Sequence, residues 1–146
     1  MNGLSNIGEL IQRWERGGIT LLPPHGEQKV VDELRRLGRP FSRDVVSLYC
    51  ATGGMKDGAM DDEGLTLWPL DYLVAENLSR ARPQILFMDF LIDSYFYGFQ
   101  YEDAETSSVY ADYYDGEPAR RVAESLREFI EIYLNDTSKL FLWGQS

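Results

Sequence analysis

Residues 95–101 read Tyr-Phe-Tyr-Gly-Phe-Gln-Tyr (YFYGFQY), and their period decides the fold. Tyr95, Tyr97, Phe99 and Tyr101 fall on one side of an extended chain, and Phe96, Gly98 and Gln100 on the other. That period of two belongs to a strand, since a helix would scatter the same residues around its axis. One face must cover a core, and burying the aromatic one, Tyr97 and Phe99 above all, removes the most apolar surface from water.

The neighbouring segments agree. Residues 85–90 (ILFMDF) form a compact apolar strand, 65–68 (LTLW) a short one and 107–113 (SSVYADY) another, with Asp115-Gly116 as a turn. Pro69 opens a helical turn over 70–76. Upstream the period changes to that of a helix. Ser5 can cap a helix whose apolar residues Ile7, Leu10, Ile11 and Trp14 lie at i, i+3, i+4 and i+7, stopped by Gly17-Gly18. A second helix is expected over 27–37, ending at Gly38, and a third from Ser42 to the Gly53-Gly54 corner. Downstream, an amphipathic helix over 118–134 buries Val122, Leu126, Phe129, Ile130 and Tyr133. The expected fold is therefore α+β. It is a single domain with N-terminal helices, an antiparallel sheet of about four to six strands, and a C-terminal amphipathic helix packed on the sheet. The domain spans 1–146, with a core over about 5–136 and an apolar tail, 137–146, in which Leu140-Phe141-Leu142-Trp143 docks on the body.

Charge narrows the function. The chain carries −10, yet residues 57–117 hold fourteen acids against two arginines, a local balance of −12. Such a field repels nucleic acid and attracts basic proteins. No apolar run is long enough to span a bilayer, and Met1 to Asn6 lack a signal-like basic and apolar pattern, so no membrane partner and a cytoplasmic location are expected. Cys50 is the single cysteine, which excludes an internal disulfide and suits a reducing compartment.

Catalytic and metal-binding readings find little purchase. His25 is the one histidine and follows two prolines near a helix start, a place for a surface or capping residue. Cys50, beside Leu48 and Tyr49, reads as a buried, inert thiol. The glycine-rich acidic stretch 53–64 (GGMKDGAMDDEG) fails as a calcium loop, because Ala59 takes the third position from Asp57 and Asp62 the sixth, where glycine belongs. It has the wrong sign for a phosphate cradle. Asp61 and Asp62 are adjacent, with nothing apolar beside them to raise a carboxyl pKa for acid–base work. No metal or other cofactor is expected. An irregular calcium-binding or hydrolytic use of the acidic cluster is the minor alternative.

The order of the segments resembles the SUKH superfamily, the group that includes yeast cell-wall-assembly regulators and many bacterial proteins. The resemblance is carried by Leu22-Pro23-Pro24 and the helix after it, and by Pro40-Phe41-Ser42 leading to Gly53-Gly54. It continues through LTLWPLDYL (65–73), the aromatic strand, SSVYADYYDGE (107–117) and AESLREFIEIYL (123–134). It implies an α+β domain without enzymatic activity. Bacterial members look like immunity proteins against toxins that often attack nucleic acids, fungal ones like regulators acting through protein contacts, and the family offers no catalytic residues to carry over. The acidic middle suits a basic toxin. The expected partner contacts are Asp57, Asp61, Asp62, Glu63, Asp103, Glu105, Tyr113 and Asp115. A general protein-interaction or regulatory module with no toxin partner is the alternative.

Overall fold

The computed structural model describes residues 4–56, 59–79, 82–91, 94–113 and 116–140. In chain order these form α1 (Ile7–Arg16), α2 (Glu27–Arg35), α3 (Arg43–Ala51), β1 (Leu65–Leu67), α4 (Leu70–Leu78), β2 (Ile85–Phe90), β3 (Tyr95–Tyr101), β4 (Ser107–Asp112), β5 (Arg120–Ala123), α5 (Leu126–Asn135) and a 3-10 turn, Thr137–Leu140. The fold is α+β, as the change of period implies.

The five strands make one antiparallel meander in the order β1-β2-β3-β4-β5, with the YFYGFQY strand at its centre. Tyr97 and Phe99 are buried as their alternation requires. Phe99 stacks on Phe87 at 3.9 Å between ring centres, and Phe129 of α5 meets Phe87 at 5.8 Å and Tyr97 at 5.6 Å. This aromatic contact seats the C-terminal helix on the sheet. The opposite face is covered too, against the simple reading of one wet side, because Phe96 is buried with Trp68 edge-on at 6.0 Å.

β1 is too short to pair with the start of β2, and α4 supplies the missing partner. The Asn77 amide donates to the Leu86 carbonyl at 2.7 Å and accepts from the Leu86 N–H at 2.8 Å, taking the place of a strand residue. A buried ladder group is thereby satisfied without a strand.

The Gly53-Gly54 corner does more than end α3. Gly54 has φ +103°, and a Cβ there would lie 2.6 Å from the Trp68 carbonyl oxygen. Leu22 N–H donates to Gly54 O and Gly53 N–H to Leu22 O, so the Leu-Pro-Pro segment crosses this corner at backbone distance. Only glycine permits that approach in that conformation.

Four expectations need correction. The helix expected over 118–134 starts at Leu126, and Arg120–Ala123 is a strand paired to β4. Its true start is marked by Ser125, whose Oγ accepts from Glu128 N–H at 3.0 Å, while the Glu128 carboxylate accepts from Glu124 N–H at 2.8 Å. That is a capping box displaced by one residue, stronger than the apolar pattern that extends past it. At α1, Asn6 rather than Ser5 takes the cap position, and its amide donates to the Arg127 carbonyl instead of capping its own helix. α2 ends at Arg35, and α4 runs two residues past the expected turn, to Leu78. Of the apolar tail, Leu140 is buried and accepts the Tyr97 hydroxyl at 2.8 Å; residues 141–143 lie outside the described residues.

Candidate partner-binding site

The sheet register sorts the expected contacts by position. Leu65 pairs with Phe90, Phe90 with Tyr95 and Phe96 with Asp112, so the loop before β1, the β2–β3 turn and the end of β4 share one end of the sheet. Tyr101 pairs with Ser107, so the β3–β4 turn, with Asp103 and Glu105, lies at the other end. The strand between them is about 20 Å long at ~3.3 Å per residue. The expected contacts therefore belong to two surfaces, not one.

At the first end Asp62 and Glu63 are exposed, whereas Asp61 is only 8% exposed. Its carboxylate accepts from the Trp14 indole at 3.2 Å, from the Tyr133 hydroxyl, and from the backbone N–H groups of Glu63 and Leu65 at 2.9 Å each. Asp61 is thus a brace, and its placement removes it from the exposed set. The physical reason is its run of donors: two aromatic groups from distant helices and two amides of its own loop converge on one carboxylate. Burial pushes its pKa above the usual carboxylate range, and these hydrogen bonds offset only part of that.

The surrounding scaffold is equally tied down. Trp14 and Tyr133 meet edge-on at 5.7 Å, and Arg13 donates to the carbonyls of Tyr133 and Leu134 at 3.0 and 2.8 Å, closing the end of α5. Glu63 accepts from the Thr137 hydroxyl in the 3-10 turn. Tyr113, expected at the surface, is half-buried, with its ring edge-on to Tyr95 at 4.5 Å. Asp57 and Asp115 lie outside the described residues.

At the second end Asp103 and Glu105 are exposed. The Asp103 carboxylate accepts from the N–H groups of Glu105 and Thr106 at 2.9 Å each, an Asx-type turn, and Glu105 faces Arg43 at 3.8 Å. A cleft of about 260 Å³ opens beside this turn, lined among others by Phe41, Arg35, Arg43 and Glu105. It shares Glu27, Arg43 and Val46 with a cavity of about 420 Å³ that reaches Cys50.

His25 is half-buried and lines a separate 340 Å³ hollow with Lys29, Glu33 and Asp71. Cys50, expected as a buried thiol, is only half-buried, yet partial burial and the charge of Glu27 push its pKa up, which suits an unreactive group. Among the described residues no group of three or more His, Cys, Asp or Glu could hold a metal ion, and no helix is long and apolar enough to cross a membrane.

Two features escaped the sequence reading. Asp61 looked like one more surface acid, and only the fold brings Trp14 and Tyr133 to it. Leu91, in the β2–β3 turn, is half exposed and carries a left-handed backbone, φ +46°. Its signal is an apolar residue where turn chemistry favours Gly, Asn or Asp. No protein-family model matches the chain, and no curated protein matches it.

Proposed function

We propose that this chain is a non-enzymatic binding protein, an immunity protein that covers a basic bacterial toxin acting on nucleic acid. The face meeting the toxin is the end of the sheet that carries Asp62 and Glu63. The observation that carries the reading is how these two carboxylates are held. They project to solvent from a loop whose neighbouring Asp61 is bonded into the core through α1 and α5. A fixed array of exposed charge loses little freedom on binding and steers an oppositely charged partner. The acidity of residues 57–117 supports the same reading, as does the resemblance of the segment order to SUKH proteins.

Co-expression with basic toxin domains encoded beside the gene tests it. Rescue of growth, and a complex that weakens as salt rises, is the expected result; neither rescue nor a low-salt complex with any such neighbour refutes it.

A regulatory module with a partner other than a toxin is the second reading. The cleft at the opposite end favours it, since Arg35 and Arg43 stand there beside Glu27 and Glu105 and suit a partner of mixed charge.

A further inference from the structure

We infer that Leu91 is the apolar anchor of the partner interface, seated against Gly64, which directly follows Asp62 and Glu63, and that the partner offers a basic surface with a leucine-sized apolar pocket. The inference rests on the binding reading above and locates its centre.

Leu91 is the one residue other than glycine with positive φ among the described residues, and it is 51% exposed. An L-residue in the left-handed region is strained, and asparagine or glycine sits there with less strain. The conformation is nevertheless fixed. Leu91 N–H donates to Gly64 O at 2.8 Å, its carbonyl accepts the Ser94 hydroxyl at 3.1 Å, and the adjacent Phe90 is in register with both Leu65 and Tyr95.

The side chain leans on Gly64, where a Cβ would come within 3.0 Å of Leu91 Cδ2, and its outer half meets water. The fold thus holds an apolar group outward in a backbone that leucine does not favour. Strain retained at a surface position is accounted for by what that position touches.

Its setting specifies the partner. Asp62 and Glu63 immediately precede Gly64, and Glu63 is bonded to Thr137, next to the exposed Asp136. Lys139, close to Asp136, is a cation in this neighbourhood. An apolar anchor with a charged surround is the anatomy of an interface centre, where the flanking groups exclude water and orient the partner. Nucleic acid and anionic lipid would meet repulsion here, and so would a second copy presenting the same carboxylates.

The test measures affinity for a purified, inactivated basic toxin domain encoded beside the gene, together with the denaturant midpoint of each variant. Leu91→Asn keeps the turn and removes the anchor. It should bind at least about tenfold more weakly while unfolding at the same or a higher midpoint. Leu91→Met, which keeps an apolar side chain, should retain binding. Wild-type affinity in Leu91→Asn overturns the inference, and if Asp62→Asn/Glu63→Gln still weakens the complex, the binding reading survives without it. A lowered midpoint and lost binding in both Leu91 variants also overturns it, because Leu91 then serves the fold. No complex between the wild-type chain and any basic neighbour overturns both readings.

Discussion

At one end of the sheet a buried aspartate, Asp61, fastens a loop to two helices; at the other a buried aspartate, Asp44, fastens a helix to a hairpin. The Asp44 carboxylate accepts from the Ser42 hydroxyl and from Ser107 N–H at 3.2 Å, and the Ser42 and Ser107 hydroxyls share a bond of 2.6 Å. The first N–H groups of α3 go to the carbonyls of Ala104 and Glu105 in the β3–β4 turn. That hairpin has its own ladder, from Tyr101 with Ser107 to Phe96 with Asp112, and would keep its shape without Asp44.

The loop before β1 is held differently. Among the described residues its backbone is held by a few bonds, Met55 to Leu67, Asp61 to Leu65, Lys56 to Thr20 and Leu91 to Gly64. The buried side-chain anchorage of its acidic part comes from Asp61, and Glu63 adds an exposed bond by accepting from the Thr137 hydroxyl. Two acidic surfaces thus rest on similar chemistry, but in one the buried carboxylate organises the surface and in the other it reinforces a surface already formed.

Substitution at Asp61 should separate the two ends furthest. Asp61→Ala removes the acceptor of the Tyr133 hydroxyl and of the amides of Glu63 and Leu65, and leaves the Trp14 indole with the Tyr133 oxygen alone. It should cost about 3 kcal/mol of unfolding free energy, read by denaturant titration. Amide exchange around Glu63 and Leu65 should rise beyond the global loss. Asp44→Ala should cost less, about 2 kcal/mol, and leave exchange within the β3–β4 ladder tracking global stability. Equal local loosening at both ends would erase the distinction.

The pH dependence is a smaller effect with a definite sign. Burial raises both carboxyls above their ordinary value, outweighing their hydrogen bonds. The folded state therefore holds more protons than the unfolded chain between the ordinary carboxylate value and the raised one. The stability linked to these groups is fully present below the unfolded pKa and is lost as pH rises through the folded pKa. Unfolding midpoints of wild type and Asp61→Asn, followed upward from about pH 4, should diverge, with wild type losing relative stability as pH rises. Parallel curves would mean that Asp61 titrates alike in both states.

Much of the fold was legible because period is a local property. The alternation of residues 95–101 and the apolar runs around it located four of the five strands to within a residue, and only β5 was missed. The failures lie where a short signal competes with a longer pattern. Ser125 and Glu128 end the strand and start α5, although Val122 continues the helical apolar stripe upstream. Asn77 as a strand substitute has no local signature, since its partner lies nine residues away through the fold.

The candidate site was legible as charge and illegible as geometry. Asp61, Asp62 and Glu63 are consecutive in sequence, and nothing local says that the first turns inward to meet Trp14, 47 residues before it, and Tyr133, 72 residues after it. The separation of Asp103 and Glu105 from the other acids follows from strand register, which depends on turns and pairing rather than on composition.

Under the proposed function the Asp62–Glu63 end, and not the Asp103–Glu105 end, steers the partner. The association rate with the proposed partner, a basic toxin domain, is to be measured at low and high salt for Asp62→Asn/Glu63→Gln and for Asp103→Asn/Glu105→Gln. The first pair should bind severalfold more slowly at low salt, roughly threefold or more, with a flatter salt dependence. The second pair should match the wild type. Unchanged rates in the first pair, or an equal fall in both, would mean that the Asp62–Glu63 end does not steer association.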